Sequence, residues 1–575
     1  MTESAVTDHQ RAQTAASEEP SYASGTSEIP LLDETIGDNF DRMAAAQPDH
    51  EALVEVQTGR RWTYRQLAGE VDTLALGLLA TGIGKGDRVG IWAPNCAEWT
   101  IVQYATAKIG AILVTLNPAY RAQELEYVLT QAGIRMLLAA RAFKTSDYAT
   151  MISEVRPRCP ALEYVVLLGS PQSPCTQFPR AGWEALIAAG RGADREALHA
   201  ATENLGPPDP INIQYTSGTT GFPKGATLSH HNILNNAYFT GERCAYTPTD
   251  RICIPVPFYH TFGMVMGNLS ATSHGATMII PAPVFDPKAT LHAVQQERCT
   301  SLYGVPTMFI AELNDPDFSS YDLSSLRTGI MAGSPCPVEV MKQVVDRMGM
   351  TEVTIGYGMT ETSPIATQTR PEDSLQRRVS TVGQVHPHVE IKIINPDNGL
   401  TVPRGQAGEF CTRGYSVMLG YWQEPEKTAE AIDQARWMRT GDLAVMDAEG
   451  YVNITGRIKD MVIRGGESLY PREIEEFLYT HPDVLDAQVI GVPDAHYGEE
   501  LCAWVTLRPQ AAEPLTAEAV RTFATGKLAH HKIPKYVYVV DEFPMTVTGK
   551  VRKVEMRRRS VELLGLQQVA TTRYA

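Results

Sequence analysis

From Ile29 to about Ile280, short apolar runs alternate with stretches whose apolar residues recur at helical spacing, and this alternation constrains the fold more than any other feature. "YRQLAGEVDTLALGLLATGIGKGDRVGIW" is one such unit. Leu67, Val71, Leu74 and Leu78 predict a helix, Gly82 and Gly84 end it, and Val89, Gly90 and Ile91 open a strand. Repeated βα units imply crossover connections and a mainly parallel sheet. The 575 residues exceed one ordinary core, so two or more domains are expected.

Between about 380 and 455 the pattern changes. "VEIKIINPDNGL" alternates and then turns at Pro396 to Gly399, and "MDAEGYVNITG" predicts a hairpin, so this region is more antiparallel. Beyond Gly456 the elements are short. "PREIEEFLYTHPDV" predicts a helix with Pro471 near its first position and Ile474, Phe477 and Leu478 on one face. "LCAWVTLRP" and "YVYVVDEFP" predict strands, and "TAEAVRTFATGKLAHHK" predicts another helix, which together make a compact α+β module.

The first 30 residues lack an apolar core and carry acidic residues, so a disordered tail is expected over 1–30 rather than a secretory or transit signal. No apolar run approaches the roughly 18 residues of a membrane span, so no integral membrane segment is expected. The net charge of −16 argues against wrapping nucleic acid, whose phosphates need a basic footprint. It suits a cytoplasmic protein. Nine cysteines, scattered and without metal-type spacing, are expected to be reduced thiols.

The densest candidate for chemistry is "YTSGTTGFPKGATLSH" at 215 to 230, which follows the expected buried strand "INIQY". Gly218 and Gly221 let the backbone turn tightly and approach a ligand. Consecutive N–H groups in such a turn form an anion nest. Thr216, Ser217, Thr219 and Thr220 add hydroxyls and Lys224 adds a positive charge. Donors plus one cation, without carboxylates, fit a polyphosphate. The Walker pattern does not apply, because Lys224 is followed by Gly225 and the glycine spacing differs.

Five further motifs follow in order: "PVPFYHTFGM" at 255–264, "GYGMTET" at 356–362, "RTGDL" at 439–443, "GRIKDMVIRGGE" at 456–467 and "PMTVTGKVRK" at 544–553. With "TSGTTGFPKG" they resemble the adenylate-forming superfamily over about 35 to 555, and within it most of all the medium-chain acyl-CoA synthetases. The resemblance implies an α/β fold: a large N-terminal AMP-binding domain (31–456) of parallel α/β sheets plus a smaller β subdomain, and a small mobile α+β C-terminal domain (457–575) with a hinge at 457–460. It implies an AMP- and pyrophosphate-forming ligase that activates a carboxylic acid with ATP and Mg²⁺ and passes the acyl group to coenzyme A. A medium-chain fatty acid is the expected substrate. An aryl- or phenylpropanoyl-CoA ligase, and a ligase that loads a carrier protein, share the motifs. A homodimer is allowed.

The same resemblance assigns roles. Thr216 and Glu361 contact the metal. Adenine lies between "GYG" (Gly356, Tyr357, Gly358, with Met359 and Thr360) and the turn carrying Gly333, Ser334 and Pro335. Tyr357 offers a flat face, Asp442 accepts from the ribose hydroxyls, and Arg457 donates to the ribose or the α-phosphate side. Lys550 bridges the carboxylate and the α-phosphate as charge develops. His260 orients the carboxylate, although it also suits a hydrogen-bonded core histidine. Phe262, Gly263, Met264, Val305 and Ile330 are candidates for the acyl pocket wall and equally for simple core. Some long-chain relatives carry a gating Trp where this chain has Met264. Lys459 is the expected pivot, and Gly465, Gly466 and Glu467 line the thiol tunnel after rotation.

Overall fold

The computed structural model describes residues 19–168, 182–216, 223–334, 336–465, 467–511, 515–546 and 550–567. Its centre is two sheets with parallel cores. One has nine strands, and its core runs Glu352–Gly358, Thr328–Ala332, Ser301–Gly304, Arg251–Cys253, Thr277–Ile280 and Glu51–Glu55, with neighbours parallel throughout. The other has seven, built around the parallel set Pro210–Thr216, Ile112–Thr115, Arg88–Trp92, Met136–Ala139 and Tyr164–Leu167. Antiparallel strands occur only at the edges of this pair of sheets, where hairpins replace crossovers.

The expected helix around Leu67 spans Tyr64–Ala80, and Thr63 caps it by accepting from Gln66 N–H. Leu67, Val71, Leu74 and Leu78 are all fully buried, which is what their helical spacing requires of a face turned to the core. Gly82 then adopts φ +81°, and the strand Arg88–Trp92 follows.

A five-stranded antiparallel sheet carries the region around 380–455, including the expected hairpin between Met438–Met446 and Val452–Arg457. Its edge strand corrects one expectation. Tyr22–Ser24, assigned to a disordered tail, pairs with Val389–Ile394, and the buried Ser21 donates its hydroxyl to Pro403 O at 2.9 Å. A backbone ladder needs no apolar side chains, so the polar composition there was no bar to order. Residues 1–18 lie outside the described residues.

The C-terminal module is a separate sheet of Glu467–Leu469, Val462–Arg464, Gly498–Leu507, Val484–Asp494 and Tyr536–Val539, with the helix Pro471–Tyr479 packed on it through Ile474 and Leu478. The helix expected over 516–532 is shorter. It covers Ala517–Ala524 from its Thr516 cap and stops before Gly526, whose φ is +78°. Among the described residues every cysteine is a free thiol, and no helix is long and apolar enough to cross a membrane.

Candidate active site

The phosphate-loop sequence is flanked by two paired strands. Pro210–Thr216 and Lys224–Ser229 pair antiparallel with Thr216 opposite Lys224, and the Thr216 hydroxyl donates to Lys224 O at 3.4 Å. Ser217, Gly218, Thr219, Thr220 and Gly221 lie outside the described residues, as do Pro335 and Gly466. Thr216 and Lys224 are fixed in two adjacent strands of the seven-stranded sheet. The Lys224 ammonium sits 4.8 Å from the centre of the Tyr421 ring. Tyr421, which pairs with Ala226, donates its hydroxyl to Glu361 Oε1 at 2.8 Å. Tyr421 was not singled out in the sequence. It is what joins Glu361 to the phosphate hairpin.

Glu361 is buried on a short turn after the strand Glu352–Gly358. Burial holds its carboxyl above the usual carboxylate range, while its own backbone N–H, the Tyr421 hydroxyl, Lys224 and Arg457 offset part of that rise. The chain enters that turn through Gly358, where a Cβ would lie 1.7 Å from Pro364 O, so only glycine fits. Met359 N–H donates to Thr362 Oγ1, and Thr360 is buried.

The adenosine side forms at the carboxyl ends of two neighbouring parallel strands, where open α/β sheets bind ligands. Gly356 lies opposite Ala332, so the "GYG" turn and the Gly333 turn emerge side by side. The Tyr357 ring packs edge-on against Phe410, 5.1 Å between centres, and its hydroxyl donates to Asp442 Oδ2 at 2.8 Å. Asp442 and Arg457 oppose each other across the hairpin, with Nε 2.9 Å from Oδ1. Asp442 Oδ1 is thus held in an ion pair with Arg457, and Oδ2 accepts from Tyr357. Each carboxylate oxygen keeps a further lone pair to which a ribose hydroxyl can donate.

Lys550 enters from the C-terminal module. Its backbone is fixed by reciprocal bonds with Thr546, and Met545 bridges Val551. Its Cε lies 3.6 Å from where a Cβ on Gly333 would stand, and Gly333 has φ +89°. Burial, and secondly Arg457, push the ammonium down to about 8, while Asp442 and Glu361 act in the opposite sense. His260 is pushed down to about 3 by burial and then by the Lys550 charge, so it is neutral near pH 7. Its Nδ1 faces Phe262 N–H at 3.2 Å, which assigns the proton to Nε2 and makes that nitrogen a donor. His260 precedes an eight-residue π-helix, Phe262–Leu269, a winding that often marks functional sites.

The pocket-wall candidates Phe262, Met264, Val305 and Ile330 all belong to one large buried cluster with these elements, and Val305 lies directly beneath Gly333. The expected thiol-tunnel residues do not join Lys550. Gly465 donates its N–H to Tyr497 O at 2.8 Å, and Glu467 lies 3.4 Å from His531, both within the C-terminal module. Lys459 lies on the short turn Ile458–Asp460 that leaves Arg457.

Two family models match: AMP-binding enzyme over residues 40–422, and AMP-binding enzyme C-terminal domain over 473–550. The chain belongs to the AMP-binding enzyme family. A Bacillus subtilis (strain 168) protein named provisionally as an acyl-CoA synthetase, YngI, is 48% identical over 93% of this chain and 99% of its own length. The mitochondrial medium-chain acyl-CoA ligase ACSF2 of Danio rerio is 45% identical over 95% of this chain and 91% of its own. Among solved structures, the anthranilate CoA ligase AuaEII in complex with anthranoyl-AMP superposes with a TM-score of 0.81 at 28% identity, covering 93% of this chain and 98% of that one.

Proposed function

We propose that this chain is an ATP-dependent, AMP-forming fatty acid–CoA ligase acting on medium-chain acids. The observation that carries the reading is the convergence on one point of Lys550, the Asp442–Arg457 pair, Glu361 and neutral His260. A carboxylate is a poor electrophile, and its oxygen a poor leaving group. Attack of the carboxylate on the α-phosphate of ATP forms an acyl-adenylate and expels pyrophosphate. Thiol attack on the acyl carbon then expels AMP, with the thiol proton lost to solvent.

The first step brings an anion against a triphosphate, so it needs charge neutralisation and alignment. Lys550 supplies a desolvated positive charge beside the α-phosphate. The Nε2–H of His260 is available to the acid's carboxylate. Tyr357 and Asp442 hold the adenosine, Asp442 through its carboxylate. The loop of Ser217 to Gly221 and Lys224 hold the outer phosphates. Glu361, with Thr216 beside Lys224, fits Mg²⁺, which favours one or two carboxylates with phosphate oxygens. When bound, it would neutralise the phosphates and assist departure of pyrophosphate. For the second step the C-terminal module turns about Lys459, withdrawing Lys550 and bringing Gly465, Gly466 and Glu467 to the thiol. The free thiols support a reducing compartment, and the cytoplasm is the location proposed here.

The test is pyrophosphate and AMP release from ATP and Mg²⁺ with acids from acetate to palmitate, plus cinnamate and benzoate, with and without coenzyme A. CoA-dependent turnover peaking at about six to twelve carbons is expected for a medium-chain pocket. A peak at cinnamate or benzoate, or an adenylate that never reaches coenzyme A, would overturn the substrate or the acceptor.

A further inference from the structure

The turn from Gly333 to Val338 links the strand Thr328–Ala332 to the helix Val338–Met348. The C-terminal module grips it at both ends. At the Gly333 end stands Lys550. At the other end, the carboxylate of Glu476 faces the Val338 N–H; burial pushes this carboxyl up, and Arg472 and then the Val338 N–H act in the opposite sense. This N–H belongs to the first turn of its helix, and the N-cap residue, Pro337, provides no side-chain cap. First-turn amides lack partners within their own helix, and a negative charge there is favourable. A glutamate from the other domain therefore supplies the negative charge at this helix start. Between the two ends lies the buried Cys336, whose thiol burial pushes up to about 12 and which feels the charges of Arg472 and Glu476.

Arg472 lies one turn before Glu476 on the helix Pro471–Tyr479, so both side chains share a face. Its Nη1 donates to Ile454 O at 2.8 Å, reaching back across the hinge, and its Nε lies 3.9 Å from Glu476 Oε1. Both groups are half-buried, and both face backbone atoms of the N-terminal domain. Neither cross-domain contact survives rotation of the module, because Val338 and Ile454 stay behind.

The geometry points to Arg472 and Glu476 as a latch, a pair of positioning residues that seats the C-terminal module on the 333–338 turn and so holds Lys550 in place for acid activation. They touch no reacting atom. This rests on the ligase reading above. Breaking the latch lowers the population of the adenylating arrangement and leaves the thiol-accepting arrangement free to form.

The experiment compares full-length wild type, Glu476→Ala, Glu476→Gln and Arg472→Ala in two single-turnover assays. One follows pyrophosphate release from ATP with octanoate, and the other acyl-CoA formation from supplied octanoyl-adenylate. Glu476→Ala is expected to slow the first about tenfold and leave the second unchanged or faster. Glu476→Gln keeps an acceptor for Val338 N–H and is expected to recover most of the loss. Arg472→Ala should split the half-reactions in the same direction, and it decides the matter if Glu476→Ala fails to fold. Equal slowing of both half-reactions, no slowing of either, or no recovery with Gln would overturn the latch. A wild type that adenylates no acid would instead overturn the ligase reading on which the latch rests.

Discussion

Replacing Lys550 with alanine should separate the two half-reactions. The side chain sits against Gly333, among Arg457, Asp442, Glu361 and His260, and its ammonium is shielded from water. A unit charge about 4 Å from developing negative charge, at an effective dielectric of about 20, is worth about 4 kcal/mol. That corresponds to roughly a 10³-fold loss in the rate of adenylate formation. It agrees with the range of about 10² to 10³ for deleting one preorganised oxyanion donor. The assay is single-turnover pyrophosphate release with ATP, Mg²⁺ and octanoate, beside conversion of supplied octanoyl-adenylate to octanoyl-CoA. Lys550→Ala should retain the second within about threefold, because the ammonium acts on charge that exists only in the first. Equal damage to both, or loss of less than about tenfold in the first, would refute the electrostatic role.

Three further outcomes follow from the geometry. Lys550 must be protonated to act and its folded value is lowered to about 8, so kcat/KM for adenylation should be flat below that pH and fall about tenfold per unit above it; a profile flat to pH 10 would contradict the assignment. Asp442→Ala removes the carboxylate that would accept from the ribose hydroxyls, so KM for ATP should rise about 10- to 100-fold and discrimination against 2′-deoxy-ATP should collapse; retained discrimination would place the ribose elsewhere. A Cβ on Gly263 would stand 2.3 Å from Pro257 O, so Gly263→Ala should destabilise the protein by about 1–3 kcal/mol and displace the His260 turn, read as a lower Tm with weakened adenylation. An unchanged Tm would mean the turn has room.

The local elements were legible because each depends on a short stretch of chain. Leu67, Val71, Leu74 and Leu78 mark a buried helical face by their spacing alone, and Gly82 marks its end by a conformation few other residues adopt. The ordered motifs likewise carry Thr216, Tyr357, Asp442, Arg457 and Lys550 in their own local sequence. What joins these residues was not legible. Tyr421 reaches Glu361 only because the strand Gly420–Tyr421 adds to the edge of the phosphate hairpin, and nothing near Tyr421 announces that pairing. The strand Tyr22–Ser24 gains its order from a ladder with Val389–Ile394, a partner that its polar sequence does not encode. Glu476 facing the Val338 helix start requires two domains to be placed before either residue has a role. The chain alone therefore determined its helices, strands and the chemical types present at the site. The tertiary structure decided which carboxylate meets which donor, which helix start faces a carboxylate from another domain, and that the Lys550 ammonium is desolvated and its pKa lowered to about 8. Periodicity and turn chemistry act over a few residues, whereas desolvation and charge pairing depend on what distant segments bring into contact.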